Sequence, residues 1–187
     1  RKSGLCDVAN QVLGAHDNAR RFEALKKALA SQNVVPFLGA GLSMPSGYPG
    51  WTQFLWSLQE ESHVKEADLE SILSAGDYEG AAQLIHNDLG SALFNKQLQE
   101  CFDRRCSAIG SINLLPLAFP DSNVVTTNFD KLLESVFAGQ SQGFDQIIHG
   151  NNIGEALRIL NAGGRYLLKM HGSCESVANR VLLRDEY

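Results

Sequence analysis

Residues 34–43 read VVPFLGAGLS, an apolar run that stops at two glycines separated by one alanine. A short run that is apolar on both faces and bounded by glycines is typical of a buried parallel strand. We therefore predict a buried strand over residues 34–38, followed by a tight turn at Gly39, Ala40 and Gly41.

Three further segments have strand character, and helical patterns separate them. The strands are predicted at residues 123–127, 146–149 and 166–170, with helices over residues 129–137 and 153–160 and an earlier amphipathic helix over residues 18–31. Strands that alternate with helices at this spacing imply right-handed crossovers and a parallel sheet. The predicted fold class is α/β, a Rossmann-like doubly wound parallel sheet.

The segment between the first two strands has only helical periodicity. Its apolar residues recur at three- and four-residue steps over residues 54–58, 69–73, 81–85 and 93–102. We predict one domain over residues 1–187, with a core at about 33–50 and 121–187 and a helical insert at about 51–120. The insert's apolar stripes are expected to serve core packing.

Composition and charge exclude several function classes. The chain has 16 basic and 21 acidic residues, a net charge of -5 and no long run of one sign, so we expect no direct nucleic-acid partner and no membrane partner. No apolar run approaches the roughly 18 residues of a spanning helix, and no signal-peptide pattern occurs at the start, which favours the cytoplasm. The four cysteines form no CxxC pair, which predicts free thiols and no metal site.

Both ends of the sequence indicate that it is a piece of a longer protein. The first residue is Arg1 rather than methionine, and the chain stops at Tyr187, where another helix would begin. We expect further domains or partner subunits beyond Tyr187.

Three predicted strands end in polar or glycine-rich groups at residues 39–43, 126–130 and 169–173. In an open α/β sheet, ligands bind at the carboxyl edge of the strands, so these groups are expected to share one crevice. The glycine turn is either a cradle for a diphosphate at a helix start or a plain strand-to-helix turn. Ser43 either bonds a phosphate or caps the helix.

The second and third groups contain candidate reactive side chains. Asn128 can hold a ribose hydroxyl and a water, and Asp130 can accept from a carboxamide, but both residue types are also ordinary helix caps. His171 directly follows an apolar strand and can serve as a general base or have a structural role.

The three groups together stand as GAGLS, TNFD and KMHGS, and this trio resembles the signature of the sirtuin superfamily over about residues 33–187. The resemblance implies a domain that binds NAD. It implies that Gly39, Ala40, Gly41 and Ser43 hold the diphosphate.

In the TNFD block, the resemblance implies that Asn128 and Asp130 face the nicotinamide ribose and the carboxamide, and that Thr127 also binds the cofactor. It implies that His171 is the catalytic base. Trp51 would replace the aromatic residue that shields nicotinamide in the flexible cofactor loop of sirtuins, although the arginine of that loop is missing here.

The chain also departs from the deacylases of the family, because no zinc ribbon of two CxxC pairs follows the HG block. It resembles instead the sirtuin-like branch of prokaryotic defence proteins, in which a Y-P-x-W loop occurs, as YPGW does here at residues 48–51. This resemblance implies an NAD glycohydrolase that consumes NAD without a metal, as an effector in antiviral defence and as a homo-oligomer. The alternatives are a non-catalytic sensor that binds NAD or ADP-ribose and, less favoured, a protein deacylase.

Overall fold

The computed structural model describes residues 2–31, 34–150 and 153–186, and the chain forms two compact units that divide after Val35. The first unit is a helical hairpin of α1 (Lys2–Gly14) and α2 (Asn18–Ala30), so the helix predicted over residues 18–31 is present. Its apolar residues Phe22 and Leu25 stay 46% and 45% exposed. The predicted core boundary at Asn33 lies outside the described residues.

The second unit alternates helices with short strands. The elements in chain order are β1 (Phe37–Leu38), α3 (Trp51–Gln59), α4 (Glu66–Ser74), α5 (Tyr78–Leu89), α6 (Ser91–Phe102), α7 (Leu115–Ala118), β2 (Val124–Thr126), α8 (Leu132–Gly139), β3 (Gln146–His149), α9 (Ile153–Asn161) and β4 (Tyr166–Lys169). The predicted strand and helix segments of the core are all present, with bounds that differ from the predictions by up to three residues.

The four strands form one parallel sheet in the order β1-β2-β4-β3. Successive residues of β4 enter different hydrophobic clusters: Leu167 belongs to the large core, whereas Leu168 packs on a smaller cluster that contains Ile159 of α9. Because neighbouring residues of a strand point to opposite faces, the sheet is covered on both sides. The predicted doubly wound α/β fold is confirmed.

The first strand differs from its prediction in length and burial. The structure assigns β1 to two residues, and Phe37 is 63% exposed although a buried strand was expected. The reason is topological: β1 lies at one end of the strand order, where it pairs with β2 alone. The carbonyl of Pro36, a residue without an N–H, extends this pairing by accepting from Val125 N–H at 3.0 Å.

The predicted helical insert lies between β1 and β2, and its four main helices coincide with the four apolar stripes. Their apolar side chains share one hydrophobic core with residues of β2, β4 and α8, such as Val124, Leu167 and Leu133. The insert therefore packs on the sheet as part of the same fold.

None of the helices in the described parts of the chain combines the length and the apolar character that crossing a membrane would require. All four cysteines lie within the described ranges and are free thiols. Burial raises the pKa of the Cys174 thiol to about 11, so this thiol is protonated near neutral pH.

Two leucines of the second unit provide a direct test of its core. Leu69 in α4 is fully buried, whereas Leu117 in α7 is 73% exposed. Leu69→Ala is expected to lower the free energy of unfolding by about 2–5 kcal/mol, because it removes buried methyl groups and leaves a cavity. Leu117→Ala is the matched control and should change it by less than about 0.5 kcal/mol. Urea denaturation followed by circular dichroism measures both, and equal losses would contradict this description of the core.

Candidate functional site

The three predicted groups of site residues meet at one edge of the sheet. Leu38, Thr126 and Lys169, the last residues of β1, β2 and β4, lie side by side in the parallel register. The residues that follow each strand therefore emerge at the same edge, where open α/β sheets bind their ligands.

The glycine turn leads into short 3-10 turns rather than into a long helix. Ala40–Leu42 and Met44–Ser46 each form one such turn, and Gly47 ends the second with a positive φ of 95°. Pro45 lies within the second turn, and α3 starts only at Trp51. A regular helix therefore does not begin directly behind the glycines.

The glycine turn nevertheless leaves open space. A Cβ atom added to Gly41 would meet none of the described atoms within 4 Å, and one added to Gly39 would approach only Thr127 Oγ1, at 3.9 Å. The backbone of this turn can therefore be approached closely by a ligand.

Asn128 ties the glycine turn to the end of β2. Its side-chain amide donates to the carbonyl of Gly39 at 3.3 Å and to Ser43 Oγ at 3.0 Å. A backbone carbonyl only accepts, so this contact fixes which end of the amide faces the turn. Asn128 Oδ1 is then a buried acceptor without a hydrogen-bond partner among the described residues.

The same contacts decide the role of Ser43. Its side chain is 1% exposed, makes no capping hydrogen bond and accepts from Asn128. Of the two roles that the sequence left open for Ser43, the structure shows no capping bond from its side chain.

Thr126 strengthens the connection between β1 and the TNFD block. Its hydroxyl donates to the carbonyl of Leu38 at 2.9 Å and accepts from the backbone N–H of Asn128 at 3.0 Å. Thr126 is 1% exposed, so both bonds lie away from water, where an unmade bond would be costly. The backbone that carries Asn128 is held in place by these two bonds.

Two neighbouring cavities open at this edge. We name the first the Asn128 cavity; it is lined by Ala40, Ser43, Pro49, Trp51, Phe102, Thr127, Asn128, Phe129 and Asp130. We name the second the His171 cavity; it is lined by Trp51, Tyr78, Glu79, Thr127, His171 and Leu182 and has a volume of about 150 Å³. Trp51 and Thr127 line both, so the two cavities adjoin.

Trp51 lies among the aromatic rings of this edge. Its ring centroid is 6.5 Å from that of His171 and 5.7 Å from that of Phe129, and both pairs meet edge to face. Such pairs are favourable at 4.5–7 Å. Trp51, the first residue of α3, thus brings the helical insert into the site.

The imidazole of His171 is held by the segment that follows it. His171 Nδ1 lies 3.0 Å from the carbonyl of Val181, and Val181 N–H donates to the carbonyl of His171 at 3.2 Å. Because the carbonyl only accepts, the first contact requires a proton on Nδ1. In the neutral ring, Nε2 then carries the lone pair that a general base needs.

Asp130 has one clear structural role. Its Oδ1 accepts from the backbone N–H of Leu132 at 3.0 Å, at the start of α8, and the side chain also lines the Asn128 cavity. Asp130 precedes Lys131, the N-cap residue of α8, so its bond to Leu132 lies at the start of the helix but is not an N-cap bond. The side-chain amide of Asn128 contacts the glycine turn instead.

Lys169, the last residue of β4, holds the backbone of the TNFD block (residues 127–130) in place. Its ammonium donates to the carbonyls of Phe129 and Asp130 at 3.2 and 2.7 Å and to Glu134 Oε1 at 2.9 Å. The side chain is 2% exposed. A buried charge persists only when it is paired and hydrogen-bonded, and here its partners are the backbone beside Asn128.

Sequence reasoning gave no role to Lys169, Tyr78 or Glu79. A lysine inside an apolar strand is a signal that could have directed attention to Lys169. Tyr78 and Glu79 begin α5 within the insert, and their place beside His171 depends on how that helix packs.

The loop before α3 is also well anchored. Tyr48 is 4% exposed, and its hydroxyl donates to the carbonyl of Arg104 at 2.5 Å. Burial raises the pKa of Tyr48 above its usual range, with Cys106 and Asp130 adding to the shift. Tyr48 is therefore a neutral hydrogen-bond donor that fixes the loop leading to Trp51.

Comparisons with known proteins find a similar family and similar relatives. Residues 122–187 match the family model described as a SIR2-like domain. Over 183 residues the chain is 27% identical to the NAD(+) hydrolase ThsA of Cytobacillus dafuensis, covering 96% of this chain and 34% of that protein. It is 28% identical over 159 residues to defense-associated sirtuin 2 of Bacillus subtilis, covering 82% of this chain and 15% of that protein.

A third relative is the NAD(+) hydrolase ThsA of Acinetobacter baumannii (strain 532279), 25% identical over 175 residues, with 92% of this chain and 34% of that protein covered. The chain thus spans about a third or less of the length of these curated relatives. Residues 122–187 are similar to a SIR2-like domain, and the resemblance predicted from GAGLS, TNFD and KMHGS is confirmed.

The role of Lys169 can be tested against a second lysine of the same edge. Lys169→Met leaves two buried carbonyls and Glu134 without their donor, so the free energy of unfolding is expected to fall by about 3–5 kcal/mol. Lys131 pairs with Glu175 at 2.6 Å, but both side chains are about half exposed, at 45% and 46%. Lys131→Met should therefore cost about 1 kcal/mol or less. Urea denaturation compares the two, and equal costs would show that Lys169 does not hold the block.

Proposed function

We propose that this chain hydrolyses NAD at the bond between nicotinamide and ribose, which gives nicotinamide and ADP-ribose. The observation that carries this proposal is that Asn128 and His171 line two adjoining cavities, the first of which is also lined by the glycine turn. The names of the ThsA relatives, NAD(+) hydrolases of similar sequence, support the same substrate and reaction.

Asn128 supplies an acceptor where the reaction needs one. Its amide donors are engaged by Gly39 and Ser43, and its buried Oδ1 remains available for a water or a ribose hydroxyl. An unpaired buried acceptor is costly. A substrate group that donates to Oδ1 would remove that cost, which favours its binding at this point.

The proposed reaction is a displacement at the anomeric carbon of the ribose. The bond from this carbon to the nicotinamide nitrogen breaks, and its electron pair leaves with nicotinamide, which departs neutral. Positive charge develops on the ribose, and the carbonyl dipole of Asn128 stabilises it. Water attacks the same carbon while His171 Nε2 takes its proton. Trp51 excludes bulk water from the departing ring.

Substitution of the two reactive side chains tests the assignment. His171→Gln and Asn128→Ala are each expected to lower the rate of nicotinamide release by at least about 100-fold, the usual contribution of a general base or a preorganised polar group. His63, whose side chain is 95% exposed, provides the control His63→Gln, which should retain full activity. Chromatography of nicotinamide measures the rate, and circular dichroism checks the fold.

Two results would change the conclusion. Full turnover by both variants would remove Asn128 and His171 from the catalytic site. Calorimetric binding of NAD by the unaltered chain, together with no release of nicotinamide, would select the non-catalytic sensor instead.

A substitution of Gly41 tests where the dinucleotide binds. A Cβ at this position meets none of the described atoms within 4 Å, so Gly41→Ala should fold with unchanged thermal stability. If the diphosphate lies against this backbone, the added methyl group takes its place, and the dissociation constant for NAD should rise about tenfold or more, or about 1.4 kcal/mol. Calorimetry measures the constant. Unchanged binding would place the diphosphate elsewhere.

We also propose that the hydrolysis serves antiviral defence. The support is the name of the relative defense-associated sirtuin 2, to which 82% of this chain aligns. NAD is required throughout metabolism, so its hydrolysis would stop growth of an infected cell.

A further inference from the structure

The segment that follows His171 contains a buried arginine, Arg180, which contacts the helical insert. The side chain of Arg180 is 2% exposed, and it donates to Asn95 Oδ1 at 2.7 Å and pairs with Glu186 at 3.4 Å. Its guanidinium also lies over the ring of Phe94, 5.9 Å from the centroid. Asn95 and Phe94 belong to α6. Arg180 thus anchors the end of the described chain to the helical insert.

Glu186 lies at the other end of this segment, and its carboxylate contacts the backbone between the two ends. Its Oε2 accepts from the backbone N–H groups of Leu182 and Leu183, at 2.7 and 2.9 Å. Its Oε1 faces Arg180. Residues 180–186 therefore form a loop around one carboxylate, which we name the Arg180–Glu186 loop.

The loop has two further attachments, both to α5. The backbone N–H of Asp185 donates to Gln83 Oε1 at 3.3 Å. Arg184 pairs with Asp77, whose carboxylate caps α5 by accepting from Gly80 N–H at 2.9 Å. Both attachments hold the loop against the helix that brings Tyr78 and Glu79 to the His171 cavity.

Inside the loop, Val181 and Leu182 face the site. The Val181 carbonyl lies 3.0 Å from His171 Nδ1. Leu182 is 1% exposed and lines the His171 cavity. The position of the carbonyl that meets the imidazole is therefore set by contacts of the residues on either side of it.

We propose that Arg180 and Glu186 are positioning residues that hold the Val181 carbonyl against His171 Nδ1 and so fix the orientation and tautomer of the ring. This inference rests on the proposed function, in which Nε2 acts as the base. Neither residue touches the reacting atoms. Through them, the helical insert controls whether the imidazole is ready to accept a proton.

Two substitutions of Glu186 separate loop closure from a general loss of structure. Glu186→Ala removes the acceptor of two backbone N–H groups, whereas Glu186→Gln keeps an oxygen at that place. The neighbouring exposed residue supplies the control Asp185→Ala, because the bond of Asp185 to Gln83 uses the backbone. The Arg180→Lys variant keeps a cation but cannot contact Asn95 and Glu186 at the same time. Its kcat should therefore lie between those of Glu186→Ala and Glu186→Gln.

The first measurement does not depend on activity. Nitrogen NMR of the histidine-labelled 187-residue chain at about pH 8.5, where histidine rings are generally neutral, distinguishes protonated from unprotonated ring nitrogens. His171→Gln identifies the signals of residue 171. We expect protonated Nδ1 and unprotonated Nε2 in the unaltered chain, in Glu186→Gln and in Asp185→Ala. In Glu186→Ala, the Nδ1 signal should shift toward an average of the two tautomers.

The second measurement follows nicotinamide release. Glu186→Ala should lower kcat by about 100-fold, the size expected when a catalytic group is misplaced, with KM changed less than about threefold because the NAD contacts are kept. Glu186→Gln should recover most of the rate.

The outcomes distinguish the two proposals. Absence of nicotinamide release from the unaltered chain would refute the proposed function, and the NMR signals would still show whether the loop sets the tautomer. If the ring signals of His171 are the same in Glu186→Ala and in the unaltered chain, the positioning role is overturned. This conclusion holds at any level of activity.

Discussion

The parallel register of β1, β2 and β4 is the constraint on which the site depends. Leu38, Thr126 and Lys169 stand side by side, so the next residues of all three strands emerge at one edge. A shift of one residue along any strand would turn every side chain of that strand to the other face of the sheet. The glycine turn, Asn128 and His171 can share a crevice because hydrophobic burial on both faces of the sheet fixes that register.

Polar contacts then fix the positions of the residues that follow the strands at this edge. Thr126, Asn128 and Lys169 are at most 6% exposed, and each bonds to backbone of another strand or of the loop behind it. Hydrogen bonds in such a low-dielectric place are strong and expensive to break. The result is a loop held from both sides, in which the buried Oδ1 of Asn128 has no hydrogen-bond partner among the described residues.

The helical insert contributes more to the site than packing. Trp51 lies at the start of α3 and contacts the ring of His171, and Tyr78 and Glu79 of α5 line the cavity of the same histidine. Sequence periodicity located these helices correctly, but the same periodicity is compatible with any buried amphipathic helix. Which helix ends reach the sheet edge depends on how the insert packs against β2, β4 and α8.

The sequence by itself determined the strands, the insert, the parallel α/β class and the three groups at the strand ends, because hydrophobic period and glycine position are local properties of a chain. It could not determine that β1 lies at an edge, that Lys169 is buried, or that the Asn128 amide faces the glycine turn. Nor could it place the Arg180–Glu186 loop beside the imidazole. Those features are contacts between residues about 10 to 90 positions apart, and only tertiary packing, which fixes distance and burial together, decides which polar partners meet.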